Sequence, residues 1–315
     1  MSPTAPGRRG PRARRVTLAD VAARAHVDPS VVSKVVSGDP SLRIRPETRR
    51  RVLAAIRDTG YRPNALARSL RSARSGMLGM FVPDFTDAAS ARIVAGAETA
   101  AAELGMLLVT GSNTGPGLRR YVELLGRGRI DGLLLVRDEQ GSGVLGELER
   151  SGVPWLLLDL AGGQARRHVV PDDERAAALA VTHLRSLGHR RIAQLPARRA
   201  GGTHGHGATA MRAFLRRGSQ ATAVIVPDVV AATGALAALR AVGRSVPGDL
   251  SVVALRDLPP AADLTPPLTA VRTPFGDLGR RGVELLVRTG ADRPVAEVVS
   301  TGVRLVERGS TGPPR

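Results

Sequence analysis

The 315-residue chain has no cysteine, one lysine, one tryptophan, two tyrosines and four phenylalanines. Without cysteine there are no disulfides and no thiolate chemistry, which fits a reducing compartment. No apolar run approaches the roughly 18 residues a bilayer-spanning helix needs. The basic N-terminus leads into Arg-rich polar sequence instead of an apolar segment, which argues against a signal peptide. No membrane association and a cytoplasmic location are therefore expected. Aromatics make up 2% of the residues, so Phe85, Trp155 and Phe275 are the few candidates for stacking on a sugar ring or a purine.

Catalytic patterns are also missing. Ser251 and Ser300 lie in no nucleophile elbow. Residues 111–117, GSNTGPG, stand where a phosphate turn would, yet match neither GxGxxG nor a P-loop and lack its lysine. His204 and His206 have strand spacing but no Cys or Glu nearby to complete a zinc set. The chain reads as a non-enzyme without metal or cofactor.

What the chain has in excess is positive charge, +18 overall, and it is unevenly placed. Residues 1–75 carry 17 of the 46 basic side chains against 5 of the 28 acidic ones. That is the footprint of a nucleic-acid-binding module joined to a near-neutral domain. Coding bias would explain the preference for arginine over lysine but not its concentration.

Within that quarter, Val16 to Gly38 reads as two short helices with a tight joint. Thr17 with Asp20 three residues on forms a capping box, and Leu18, Val21, Ala22 and Ala25 follow on one face. His26-Val27 breaks the run. Asp28 caps a second helix with Pro29 at its first position, where no donor is needed. This helix is expected to bury Val32, Val35 and Val36 and to turn Ser30, Val31, Ser33, Lys34 and Ser37 outward. Small polar groups with one cation make a face that fits a DNA major groove. A third helix runs from Pro46 to Asp58, with Val52, Leu53 and Ile56 inward and Arg49, Arg50, Arg51 and Arg57 outward. Three such helices make a helix-turn-helix bundle. Asn64 can cap a further helix through Leu70, too short to be stable unless packed or bound.

From Met77 onward, apolar strand-like runs at 77–82, 106–110, 132–136, 155–159, 192–195, 223–226 and 251–255 alternate with helix-like stretches at 90–104, 118–127, 173–187, 229–242 and 277–288. Alternation of this kind means a parallel sheet covered on both faces.

The order VTLADVAARAHVDPSVVSKVVSG, RPETRRRVLAAIRDTGYRPNALARSLRS and GMLGMFVPD resembles the LacI/GalR family of bacterial transcription regulators, densely over the first 85 residues and more loosely beyond. The resemblance implies a multi-domain chain: a small all-α head and a bilobed α/β, periplasmic-binding-protein-like core. The expected divisions are a basic arm at 1–15, open between phosphate contact and a solvated tail, then the helix-turn-helix at 16–60, a hinge helix and linker at 61–76, and the core at 77–315. Leu264 to Val271 resembles the family's return crossing between lobes. The family's DNA contacts fall on Thr17, Leu18, Asp28, Pro29, Ser30, Ser33, Lys34, Ser37, Thr48, Asn64, Ala67 and Leu70. Lys34 stands where arginine is usual and so lacks the bidentate fork to guanine. His26 stands where a turn glycine is usual and must adopt an unusual backbone.

The effector half departs from the family. Asp84-Phe85-Thr86-Asp87 lacks the usual pair of aromatics, and Arg256 stands where an Asp is usual before Asp257. Only 27 residues separate Leu195 from Ala223, so the second lobe is expected to lack one strand–helix unit of about 30 residues. Asp84, Phe85, Asp172 and Asp228 remain candidate effector contacts, with helix-cap or turn roles open for the three acids. Two functions follow. One is a regulator, in first place a repressor, that binds a pseudo-palindromic double-stranded operator as a homodimer and responds to a sugar or nucleoside in the cleft. The other is a DNA-binding regulator whose core only dimerises. A sugar-transport protein would carry no basic helical head.

Two expectations can be measured. The log of operator affinity should fall with the log of salt by roughly 0.9 per neutralised phosphate. The resemblance implies that paired Leu70 side chains wedge a base step in the minor groove. Leu70→Ala should then lower operator affinity sharply in a gel-shift titration while leaving core melting unchanged, and an unchanged affinity would contradict the wedge.

Overall fold

The computed structural model describes residues 16–39, 41–61, 74–112, 117–136, 142–158, 166–196, 204–290 and 293–315. They form two compact units divided between Arg74 and Ser75.

The first unit contains α1 (Leu18–Ala25), α2 (Pro29–Ser37) and α3 (Pro46–Thr59). Val21, Ala22, Ala25, Val32, Val35, Val52 and Ala55 form its core. Short side chains at the contacts let three helices close over a core this small. Arg51 is not simply outward, because its Nε donates to the Ala25 carbonyl at 2.8 Å and so ties α3 to the end of α1. Two inward–outward assignments are corrected. Leu53 is 42% exposed and Ala55 takes the inward place, because the buried stripe of α3 runs through 52, 55 and 56. Val31 is half-buried against the core, as is Val36, and does not join the outward face.

The second unit is built on two sheets. The first holds β1 (Met77–Val82), β2 (Leu107–Ser112), β3 (Gly132–Val136), β4 (Trp155–Leu158), β5 (Arg167–Pro171) and β10 (Val295–Val299) in the order β10-β5-β4-β3-β1-β2, all parallel. The second holds β6 (Ile192–Gln194), β7 (Ala223–Val226), β8 (Ser251–Ala254), β9 (Thr269–Arg272) and β11 (Arg304–Val306) in the order β11-β9-β8-β7-β6, with only β11 antiparallel. Strands buried on both faces read as unbroken apolar runs, as in β3, β4 and β7. Alternate side chains then serve opposite faces. Leu134 and Leu156 meet α4 (Ala88–Glu103) and α10 (Phe275–Thr289), while Leu133, Leu135 and Leu157 meet the cluster of Tyr121 on α5 (Gly117–Gly126) and Leu148 on α6 (Ser142–Ser151). On the second sheet, α8 (His204–Arg216) and α9 (Val229–Ala241) cover one face, and α7 (Asp173–Ser186) packs Ala176, Ala180 and Leu184 on the other.

The chain passes between the lobes three times: from β5 to α7, from β9 to α10, and from β10 to β11. Leu264–Val271, expected to be a crossing, lies within the second lobe and leads into β9. The crossing comes just after it, at 272–275, because the strand must finish pairing with β8 first. A single described helix, α8, joins β6 to β7, which leaves β6 as the sheet edge.

Both lobes seal one helix pair with glycine. A Cβ on Gly279 of α10 would overlap the Ile93 carbonyl of α4, and one on Gly207 of α8 would overlap the Ala231 carbonyl of α9. Backbone cannot yield as a side chain can. Gly279→Ala and Gly207→Ala should each destabilise the core by about 2–3 kcal/mol in denaturant titration. Gly205, in the same helix as Gly207, has open space around it, so Gly205→Ala should stabilise by up to about 1 kcal/mol.

Candidate nucleic-acid interface and ligand cleft

The reading helix is positioned by its two ends. The N–H of Thr17 donates to Asp20 Oδ2 at 2.8 Å while Thr17 Oγ1 accepts from the Asp20 N–H at 3.3 Å, so the capping box expected at α1 is present. His26 then turns the chain in the left-handed region, φ 49° and ψ 54°, with its N–H returned to the Ala22 and Ala23 carbonyls. It is the one positive-φ residue besides glycine among the described residues. Asp28 Oδ1 accepts from the Ser30 N–H at 2.8 Å and starts α2. Hydrogen bonding from Ser30 holds the Asp28 carboxyl below its usual range. The folded value is the lower one, so this cap's stabilisation is complete above the unfolded value near 4 and is lost as pH falls through the folded one.

Ser30, Lys34 and Ser37 emerge together as an exposed stripe, with Ser33 half-buried beside it. Lys34 forms no ion pair among the described residues. Asp28 and Pro29 lie exposed at the start of the stripe, Thr17 is exposed at the start of α1, and Leu18 and Thr48 are half-buried. The Arg50–Glu47 pair at 3.3 Å is exposed on both sides and contributes little. Asn64, Ala67 and Leu70 lie outside the described residues.

At the first strand of the core, Asp131 gathers the incoming chain. It accepts from the Ser75 N–H at 2.6 Å, the Ser75 hydroxyl at 2.8 Å and the Gly76 N–H at 2.9 Å. Sequence reading passed over this residue; its one signal was an acid directly before an apolar strand.

The parallel strands aim their carboxyl ends at the crossings, so the two lobes face each other across a cleft there. Asp84 accepts from the Thr86 N–H at 2.8 Å in a turn after β1, and that backbone bond lowers its pKa. Phe85 is 50% exposed. Asp172 accepts from the Arg175 N–H at 2.9 Å and from the Ser300 hydroxyl at 2.7 Å, and Arg175's N–H, foremost, lowers its pKa. Asp228, 7% exposed, accepts from the Ala231 N–H at 2.8 Å. All three acids therefore act as caps or turn formers. Trp155 and Phe275 are buried in the cores and offer no face for stacking. His204 and His206 bond to Thr233 and to the Pro196 carbonyl. No group of three potential metal ligands occurs among the described residues.

A capped helix-turn-helix with a basic bias, followed by a two-lobed α/β core open at its strand ends, defines a ligand-cleft transcription regulator. Residues 17–64 match the profile of bacterial regulatory proteins of the lacI family, 75–217 that of periplasmic binding proteins and sugar binding domain of LacI family, and 194–311 a periplasmic binding protein-like domain. The regulator CelR of Thermobifida fusca is 31% identical over 341 aligned positions, covering 95% of this chain and 99% of that protein. Catabolite control protein A of Priestia megaterium is 28% identical, covering 87% and 92%. Among solved structures, the Lac repressor dimer bound to operator and the anti-inducer ONPF superposes with TM-score 0.78 at 27% identity, covering 95% of this chain and all of that one. The CelR–cellobiose complex gives 0.67 at 28%, covering 94% of this chain and all of that one. The chain belongs to the LacI family of bacterial regulatory proteins. The alignment to CelR is longer than this chain itself, so the relative carries segments absent here.

The head's stability should respond at its two turns. Thr17→Ala should cost about 1 kcal/mol by removing the box. His26→Gly should gain up to about 1 kcal/mol by relieving the left-handed backbone, as read by thermal melting.

Proposed function

We propose that this protein is a cytoplasmic, non-enzymatic repressor that binds a pseudo-palindromic operator as a homodimer and releases or gains affinity when a small molecule enters the cleft of its core. The observation that carries this reading is the stripe of Ser30, Lys34 and Ser37 on a helix fixed by a cap at one end and a left-handed glycine, Gly38, at the other. Pro29, Ser30 and Lys34 are assigned to base edges. Thr17, Leu18, Asp28, Ser33, Ser37 and Thr48 are assigned to positioning on the backbone, and Asn64, Ala67 and Leu70 to the hinge helix in the minor groove. With such short side chains, sequence discrimination depends on duplex shape and the hinge as much as on direct contacts.

In the core, Asp84, Phe85, Asp172 and Asp228 are assigned to the rim of the effector site. Relatives supply the precedent: one structure holds CelR with cellobiose and another the Lac repressor with operator and anti-inducer. A ligand shifts DNA affinity only by its differential affinity for the two lobe arrangements, and operator must shift ligand affinity by the same factor.

The test is selection of preferred duplexes from a random pool, followed by fluorescence anisotropy. Wild type should enrich a two-fold symmetric sequence. Lys34→Ala should weaken binding to it by about 1–3 kcal/mol and narrow the gap to unrelated DNA. Enrichment of no sequence, or equal loss on all DNA, would overturn base reading by this helix. A small molecule that raises core melting should also change operator affinity, and failure of every binder to do so would overturn effector control.

A further inference from the structure

The second lobe carries a basic groove that takes no part in the cleft. Arg191 stands directly before β6 and Thr222 directly before β7, so the groove lies at the amino ends of these strands, opposite the end that faces the first lobe. Its volume is about 300 Å³, and Arg191, Arg244 and Arg315 line it together with Ser219, Thr222 and Phe214. None of the three arginines makes an ion pair or a side-chain hydrogen bond among the described residues. Asp249 is close enough for Arg315 and Arg244 to act on it, but it already accepts the Ser245 N–H and hydroxyl at 2.7 Å each. Those two bonds first, and the two arginines after them, hold its carboxyl below the usual range. One engaged carboxylate does not balance three guanidinium groups.

The segment that carries Arg315 is fastened to the lobe. Thr311 Oγ1 lies 2.9 Å from His183 Nε2, and the Gly312 carbonyl lies 2.8 Å from His189 Nε2. The Gly312 N–H donates to Ser251 Oγ at 3.1 Å. His189 is 1% exposed, and its Nδ1 is 2.8 Å from the hydroxyl of Thr222, which itself lines the groove. One buried imidazole thus joins two walls of the site. A counter-charge for a helix C-terminus would account for Arg244, which follows α9. It does not account for Arg191 and Arg315, which lie on no helix.

We propose that this groove is a second ligand site, for a compact phosphate-bearing molecule with two or more negative charges. Guanidinium forks from three separate segments offer donors in several directions. A tetrahedral phosphate can accept them all, whereas a flat carboxylate accepts best in its own plane. Phe214, the aromatic residue of the lining, is 9% exposed, so the groove offers no stacking face for a nucleobase. The site is independent of effector control through the cleft.

The experiment is calorimetric titration of the full-length protein with pyrophosphate, inorganic phosphate and citrate, without divalent metal and at equal ionic strength. Wild type should bind pyrophosphate with a Kd below about 1 mM, and inorganic phosphate more weakly. Arg191→Gln/Arg244→Gln should lose at least about tenfold in affinity at unchanged far-UV circular dichroism. Arg191→Lys/Arg244→Lys should fall between the two, because an ammonium keeps the charge without the fork, and it carries the test if the Gln pair does not fold. The basic head also attracts polyanions, so Arg49→Gln/Arg57→Gln, which removes the same charge there, should stay within about twofold of wild type. No pyrophosphate binding in the wild type, or an equal loss in the groove and head variants, overturns the proposal. So does wild-type affinity in either groove variant. Citrate bound as tightly as pyrophosphate overturns the selection of phosphate.

Discussion

The three passages of the chain between the two sheets constrain everything else in the core. Each leaves or enters at strand carboxyl ends, so the two sheets must present those ends to one another. A cleft with strand-end loops on both sides is the consequence. Asp257 lies just after β8, 5% exposed, with Arg308 Nη1 2.9 Å from its Oδ1 and Arg272 Nε 3.7 Å from its Oδ2. The Arg308 contact is ionic in character, for Oδ1 has no hydrogen bond of acceptable geometry. Arg272 ends β9 at one crossing, and Arg308 follows the strand reached by another. A charge buried between segments in this way is costly to strand, which keeps the crossings in register.

Away from the crossings, each lobe is stiff. Glycine brings α4 onto α10 and α8 onto α9 until backbone meets backbone, leaving no slack for the helices to slide. Arg167, 4% exposed, donates to the Trp155 carbonyl at 2.7 Å and to the Thr289 hydroxyl at 3.1 Å, fastening the end of α10 to β4. Arg281 grips Glu297 of β10 with both arms, and these bonds raise its pKa.

Much of this was legible in the residues because the elements concerned are locally determined. Thr17 and Asp20, Asp28 and Pro29, and the apolar spacing of Val21, Ala22, Val32 and Val35 specify the head without reference to the rest of the chain. Runs such as LLLV and WLLL announce buried parallel strands. What escaped was set by tertiary contact. β5 and β10 have mixed sequences, RHVVP and VAEVV, and become strands because each supplies the other's edge; β11, RLV, is a strand because it pairs with β9. Helix α6, with two glycines in ten residues, had too weak a pattern to stand out. Leu53 and Val31 were misplaced because a residue one step off a stripe turns by only about 100° and can fall on either side of its border. The cleft was the least legible part. Asp172 and Asp228 there cap helices and Asp84 closes a turn, and a carboxylate in such a place looks the same in sequence whether or not it also faces a ligand.

Among the described residues one helix joins β6 to β7 and Phe85 is the exposed phenylalanine beside the strand ends, so the coupling of core to head is the property on which the function turns. The absence of native cysteine makes this directly measurable. Phe85 and Val230, both exposed near strand carboxyl ends on opposite lobes, can be replaced by cysteine in one chain and joined with a reducible bis-maleimide linker. Operator affinity is then compared before and after the linker is cleaved. Control of the head through lobe arrangement predicts that bridging shifts the operator Kd by at least about fivefold and that cleavage restores it. The same Kd in the bridged and cleaved protein would contradict coupling and leave the core as a scaffold.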